Sequence, residues 1–430
     1  METFERLESE VRGYCRSWPA VFASAEGCHL VDEDGRRYLD FFAGAGALNY
    51  GHNPPALMEA LSAHIAGNGI IHGLDMATTT KRDFLQRFEE VVLTPRSLEY
   101  KVQFPGPTGT NAVESALKLA RKVTGRERIV GFTNAFHGMT LGSLAVTGNS
   151  MKRKGAGVPL HMADSMPYDG FLDDDADSLG YLEAMLDDDG SGLDKPAAVI
   201  LETIQAEGGI NVATTEWLRG LQDLCRRHDI LFIIDDIQVG CGRTGPFFSW
   251  EEMGLDPDII CLSKSLSGSG LPFALVLMKP EHDVWEPGEH NGTFRGNNAA
   301  FVTATAALET FWTDDALTKE TLRKADKITS GLKQLATDHP GLVDDLRGRG
   351  LIQGFGTTDP EVADSITSEA FDRGLIIETA GPADEVVKLL PPLIVGDEHI
   401  DTAMAIIAES MEATIDRLGD QLVSSEVDAS

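Results

Sequence analysis

Ile230-Leu231-Phe232-Ile233-Ile234-Asp235-Asp236-Ile237-Gln238 is an apolar run that ends abruptly in two carboxylates. Its β-branched and aromatic residues, bounded by polar ones, suit a strand buried on both faces. The next such run, Ile259–Ser263, leads straight into Lys264, and Ser265-Leu266-Ser267-Gly268-Ser269-Gly270 follows. Outward from these two, Tyr100–Phe104, Arg128–Phe132, Ala197–Glu202 and Phe273–Met278 have the same strand character. Amphipathic stretches lie between them at 111–123 and 214–228; the second ends in Arg226-Arg227-His228, cations suited to a helix C-terminus. Strands alternating with helices predict an α/β fold whose sheet is covered on both sides. Ligands of such sheets gather where the strands end.

The flanks differ. Cys28–Val31 and Arg37–Phe41 around Asp32-Glu33-Asp34-Gly35 predict a hairpin, and Val386–Leu390 a strand before Pro391-Pro392. Residues 1–54 and 316–418 are expected to form one smaller domain, interrupted by a large domain over 55–315, with 419–430 as a flexible tail.

The 430 residues carry a net charge of −32, which makes nucleic acid a poor partner. Asp173-Asp174-Asp175-Ala176-Asp177 and Asp187-Asp188-Asp189 are expected in solvated loops. A surface dominated by carboxylates suits a salt-rich cytoplasm, where screening relieves the self-repulsion. The five cysteines are scattered, without zinc-ligand spacing, so neither a metal site nor disulfides are expected. No apolar run reaches membrane-spanning length, and Met1-Glu2-Thr3-Phe4-Glu5-Arg6 is too acidic for a leader.

Adjacent carboxylates at the end of a buried strand are costly unless something pairs with them. Asp235 and Asp236 therefore ask for a metal ion, for backbone amides to cap, or for a cationic heterocycle. Lys264, boxed by small residues, is either a structural lysine whose head snorkels to water or a desolvated, nucleophilic amine beside a flat ligand. Pro105-Gly106-Pro107-Thr108-Gly109-Thr110 joins a strand to a helix, whose free N–H groups suit an anion. A plain helix cap fits that turn equally. Phe136, in Asn134-Ala135-Phe136-His137-Gly138, follows another strand and can stack on a flat ring or pack in the core.

Taken jointly, six blocks resemble the class III (omega) aminotransferases of pyridoxal-phosphate fold type I. They are Thr108-Gly109-Thr110-Asn111-Ala112-Val113-Glu114, Phe136-His137-Gly138, Glu202-Thr203-Ile204-Gln205-Ala206-Glu207-Gly208-Gly209, Asp235-Asp236-Ile237-Gln238, Ser263-Lys264-Ser265 and Gly292-Thr293-Phe294. The resemblance runs from roughly Gly35 to Pro392. It implies a large domain with a mainly parallel seven-stranded sheet, a smaller α+β domain, and pyridoxal 5'-phosphate (PLP) as cofactor. It gives Lys264 the cofactor's aldehyde and the proton shuttle at the substrate carbon. Asp235 receives the pyridine nitrogen, which it keeps protonated, Gln238 the ring hydroxyl, and Phe136 the ring face. His137 belongs to the same cofactor set. Gly109 and Thr110 are expected at the phosphate, with Thr293 from the neighbouring subunit. That last assignment implies a homodimer or a dimer of dimers with shared active sites.

Within the family, Phe41-Phe42-Ala43-Gly44-Ala45-Gly46-Ala47-Leu48-Asn49-Tyr50-Gly51-His52, Leu74-Asp75-Met76-Ala77-Thr78-Thr79 and Thr293-Phe294-Arg295-Gly296-Asn297-Asn298 narrow the resemblance. They are similar to members that pass glutamate's amino group to L-aspartate 4-semialdehyde. The products are L-2,4-diaminobutyrate and 2-oxoglutarate, the former a precursor of the compatible solute ectoine; the acidic composition points the same way. Asn49 and Tyr50 are then expected to contact substrate. One departure stands out: many relatives carry arginine before the Pro-Pro pair, and this chain has Lys388-Leu389-Leu390-Pro391-Pro392. Lysine lacks the guanidinium fork. Lys388 is still expected to bind a carboxylate, with Glu207 pairing to it when an ω-amino substrate is bound. Competing expectations are transaminases for ornithine, acetylornithine or 4-aminobutyrate, a siderophore-pathway diaminobutyrate transaminase, and an aminomutase or racemase.

Overall fold

The computed structural model describes residues 1–172 and 176–428, with side chains as far as Leu418; the acidic triplet Asp173–Asp175 and residues 429–430 lie outside the described residues. All six runs with strand character join one 7-stranded sheet. Its order is Lys101–Gln103, Leu275–Met278, Ile259–Leu262, Leu231–Asp235, Ala198–Leu201, Ile129–Phe132, Ala163–Met166. From Ile259–Leu262 to Ala163–Met166 the strands are parallel, whereas Leu275–Met278 is antiparallel to both neighbours.

Side-chain alternation explains the continuous apolar runs. Phe232, Ile234, Ile260 and Leu262 enter one buried cluster, while Leu231, Ile233, Ile259 and Cys261 enter another on the opposite face. A period of two with both faces covered leaves no position for a polar residue. The strand that the sequence did not announce, Ala163–Met166, lies at the sheet edge and is largely half-exposed. Polar residues are tolerated there and blunt the edge against pairing with other chains.

The helix Gly109–Thr124 begins with a capping box between Thr108 and Asn111 and ends at Gly125, whose φ of 70° is left-handed. Thr215–Arg227 begins where the Thr214 side chain accepts the Trp217 N–H. Because the parallel strands end on one edge, Asp235, Glu202 and the residues just beyond Phe132 and Leu262 emerge together.

A second sheet, in the order Asp345–Arg349, Ile352–Gly356, Val386–Leu389, Glu378–Ala380, is antiparallel throughout. Helices Ala316–Asp338, Pro360–Asp372 and Asp397–Asp428 accompany it. Ile328, Leu332, Phe355, Ile366, Leu389 and Ile407 form a core of their own, which Leu39 and Phe41 from the other end of the chain also enter. The N-terminal hairpin pairs His29–Asp32 with Arg37–Asp40, gains Phe22–Glu26 on one side, and pairs in parallel with Leu375–Ile376 on the other. The helix Asp397–Asp428 continues through most of the stretch expected to be a tail. Cys28, Cys225, Cys241 and Cys261 are buried and unpaired, and Cys15 is half-buried. Among the described residues, no helix is long and apolar enough to cross a membrane.

Candidate active site

At the carboxyl edge of the parallel strands lies a cavity of about 550 Å³. Lys264, Asp235, Gln238, Glu207 and Glu202 contribute its charged and amide groups; Gly109, Thr110, Phe136, His137, Gly138 and Ile237 complete the lining.

Lys264 follows the strand Ile259–Leu262 and has a φ of 49°. A lysine in the left-handed region is strained, and persists only where its surroundings hold it. Its Nζ donates to the Ala45 carbonyl oxygen at 2.7 Å. Burial pushes the ammonium pKa down, against the charge of Glu207. Ala45 belongs to the turn Ala43–Gly46, in which every residue has positive φ. The same carbonyl accepts Gln238 Nε2 at 2.8 Å. A Cβ on Gly46 would stand 3.2 Å from Gln238 Cγ and 3.2 Å from Leu390, so glycine keeps the turn close.

Asp235 and Asp236 divide their tasks. His137 Nδ1 lies 2.7 Å from Asp235 Oδ2, and Asp235 Oδ1 accepts the Ile237 N–H at 3.2 Å. Burial works against a charged His137, but the Asp235 hydrogen bond and charge outweigh it and raise the imidazole pKa. Asp236 is buried away from the cavity, accepts the Ser249 N–H at 3.2 Å, and is pushed up to about 7 by desolvation. Among the described residues, no group of His, Cys, Asp and Glu is disposed to hold a metal ion.

Glu202 had no role in the sequence reading. Its Oε1 accepts the Phe136 N–H at 2.9 Å. Burial pushes its carboxyl up to about 8, with His137 opposing and Asp235 reinforcing the rise. A carboxylate directly after the apolar strand Ala198–Leu201 was the available signal, the same one that marked Asp235. Lys152 Nζ lies 4.5 Å from the Phe136 ring centroid, a cation–π contact.

Gly109 and Thr110 open their helix, where N–H groups have no carbonyl within the helix to reach. The Thr110 hydroxyl is engaged by Thr140 at 2.8 Å and Ser143 at 2.6 Å, so the backbone is what this residue offers an anion. A Cβ on Gly138 would lie 2.4 Å from Thr110 Oγ1, which leaves room only for glycine.

At the other end, Glu207 Oε1 accepts from Gln238 Nε2 at 3.0 Å and from Lys388 Nζ at 2.9 Å. Lys388 is fully buried behind Glu207 and does not line the cavity. Its ammonium also forms an ion pair with Glu378 Oε1 at 3.0 Å. Burial would lower the Lys388 pKa; the two carboxylates outweigh it and hold it above its ordinary range. Burial would raise Glu207; Lys388, Lys264 and the Gln238 amide outweigh it and hold it below the usual carboxylate range. Glu378, with less help, is pushed up to about 7 by burial. Lys388→Ala therefore leaves Glu378 without its ion-pair partner and Glu207 with only Lys264 and the Gln238 amide to oppose burial. It should lower stability by about 3–5 kcal/mol, a fall of several degrees in thermal midpoint; an unchanged midpoint would show that water reaches the cluster.

Two residues expected to contact substrate, Asn49 and Tyr50, do not line this cavity. Asn49 is buried, with Nδ2 donating to the Cys241 carbonyl at 2.8 Å and Oδ1 accepting from Arg243 at 2.5 Å. The Tyr50 hydroxyl accepts Trp312 Nε1 at 2.7 Å and its ring stacks on Phe311. Both brace the wall behind the cavity rather than line it. Thr293 is exposed and lies outside its own chain's cavity.

The residues fit a phosphorylated, cationic heterocycle. Gln238 Oε1 and His137 Nε2 are buried with no partner, a helix start offers two N–H groups, and a desolvated amine stands across from a carboxylate. The class III aminotransferase family model matches residues 14–411, so the chain belongs to that family and is a PLP-dependent aminotransferase. The chain is 60% identical over 409 residues, covering 95% of itself and 93% of its relative, to a diaminobutyrate–2-oxoglutarate transaminase of Nocardia farcinica. A protein of the same name from Halalkalibacterium halodurans is 58% identical, with 97% of each chain covered. Among solved structures, the ornithine aminotransferase of Toxoplasma gondii, crystallised with PLP at partial occupancy in its active site, superposes with a TM-score of 0.83. It is 26% identical, with 97% of this chain and 94% of that one covered.

Proposed function

We propose that this aminotransferase exchanges an amino group between L-glutamate and L-aspartate 4-semialdehyde, forming L-2,4-diaminobutyrate and 2-oxoglutarate. The convergence of Lys264 and Asp235 on one cavity carries the chemistry. The substrate pair rests on the 60% likeness to the Nocardia enzyme.

When bound, PLP supplies an electron sink for the carbanion at the substrate carbon. With PLP bound, Lys264 Nζ would hold the cofactor's aldehyde and is placed to move the proton at the substrate carbon; its desolvated amine suits both tasks. Asp235 holds the ring nitrogen protonated, while His137 fixes its Oδ2. Gln238 Oε1, free of protein partners, accepts from the ring hydroxyl. Phe136 stacks on the ring, steadied through its N–H by Glu202. The N–H groups of Gly109 and Thr110 would hold the phosphate, joined by Thr293 if a second subunit brings it to the site. Exposed Phe294 packs against His72 beside exposed Ile70, Ile71 and Met76, an apolar patch suited to a second copy. In this reading the product feeds ectoine synthesis in a salt-rich cytoplasm, which the net charge of −32 supports.

An acceptor screen with glutamate as donor tests the reading. Aspartate semialdehyde should give a kcat/KM at least tenfold above the aldehydes derived from ornithine, acetylornithine and 4-aminobutyrate. Equal or lower activity with it would reject the substrate assignment. Glutamate alone should move the cofactor's visible band to the near ultraviolet; a racemase would leave the band in place.

A further inference from the structure

Three charged side chains, Glu207, Lys388 and Glu378, meet at the end of the cavity, and none of them has a place in the scheme above. Glu378 and Lys388 are cross-strand partners, directly opposite each other on Glu378–Ala380 and Val386–Leu389. Register therefore holds them together whatever the cavity contains. Glu207 comes from a different part of the chain and is the member of the trio that lines the cavity. Its Oε1 takes both Gln238 and Lys388, and no protein donor reaches its Oε2 among the described residues.

Charge counting gives the consequence. Lys388 with Glu207 alone is neutral. Adding Glu378 gives the trio one net negative charge, which reaches the cavity through the Glu207 carboxylate, facing a Lys264 amine that burial drives toward neutrality. In a desolvated site such a charge attracts an ammonium and repels a carboxylate. An amino group on a primary carbon brings positive charge and no neighbouring carboxylate. The reacting amino group of glutamate sits on a carbon that carries one.

We propose that Glu378 is a specificity-determining positioning residue: by neutralising Lys388 across the strand pair, it leaves Glu207 an uncompensated anion that favours substrates reacting through a primary-carbon amine. This deepens the transaminase reading and rests on it. Desolvation pushes the Glu378 carboxyl up to about 7, so the bias is weaker than a permanent charge would give.

The test compares the two half-reactions of the holoenzyme, one with L-glutamate and one with L-2,4-diaminobutyrate, in wild type, E378Q and E378Q/K388M, with thermal midpoints recorded for each. E378Q should lower kcat/KM for diaminobutyrate at least tenfold, mainly through KM, while glutamate improves or stays within threefold. E378Q/K388M, in which Glu207 is again uncompensated, should return the preference to within threefold of wild type; a merely structural role predicts no such return. Equal loss with both substrates, no loss with either, or a double variant that stays unselective would overturn the proposal. If E378Q alone fails to fold, the double variant against wild type decides it, since the preference must survive removal of both charges. A wild type inert to diaminobutyrate but active with another primary-carbon amine such as ornithine would reject the substrate assignment and leave Glu378 to be judged on that amine. Inertness to every primary-carbon amine would reject both.

Discussion

Lys264→Ala should abolish turnover, with a loss of at least roughly 10³-fold in kcat, while the chain stays folded. Among the described residues, no other lysine lines the cavity. Lys264 Nζ is the nitrogen that stands on the cavity with a pKa pulled down by burial, whereas Lys388 is sealed behind Glu207 with its pKa raised. A lysine held charged by two carboxylates is a poor nucleophile; one that desolvation drives toward neutrality is a good one. The structural cost of the substitution is small, because the side chain gives up one hydrogen bond, to the Ala45 carbonyl, worth about 1–3 kcal/mol. Borohydride reduction of the holoenzyme should place the pyridoxyl label on Lys264 alone. A small exogenous amine should restore part of the proton transfer in the variant, because the missing group is a base at a defined position. Label on a second lysine, or turnover within tenfold of wild type, would remove Lys264 from the chemistry.

The same residues show what a sequence discloses and what it hides. Asp235 and Lys264 were visible because each terminates a run whose apolar continuity has a single physical cause, burial on both faces. Ala163–Met166 was not, because an edge strand with Asp164 and Ser165 has no need of that continuity. The carbonyl of Ala45 was hidden for another reason: a backbone oxygen has no letter of its own, and only the glycines on either side mark the left-handed turn that aims it. Asn49 and Tyr50 show a further limit of residue type, which gives hydrogen-bonding capacity and not where it is spent; Arg243, Cys241 and Trp312 engage it here. Glu378 was silent too, since its meaning depends on strand register against Lys388.

Asp235→Asn is the second large effect, and here the size and the signature can be argued separately. The amide preserves volume and can still accept the Ile237 N–H through its oxygen. It cannot hold a proton on a pyridine nitrogen, because it carries no charge to favour the cation. Removing one preorganised electrostatic partner from a dry site costs roughly 10²–10³ in rate, and kcat for the glutamate half-reaction should fall by that order. His137 should respond as well. Its pKa is raised because the Asp235 hydrogen bond and charge outweigh burial; with the carboxylate gone, burial meets less opposition and the imidazole pKa should fall. An NMR titration of His137 in the apoprotein reads this without any cofactor present, and a signal that does not move would show that Asp235 is not its partner. The rate defect has a different test. Reconstitution of the variant with a ring-N-methylated cofactor, whose nitrogen is permanently cationic, should recover much of the lost rate, since the carboxylate's task is to keep that nitrogen charged. If the methylated cofactor restores nothing while the amide variant remains folded, Asp235 acts by orienting His137 and the ring, and the electrostatic assignment is wrong.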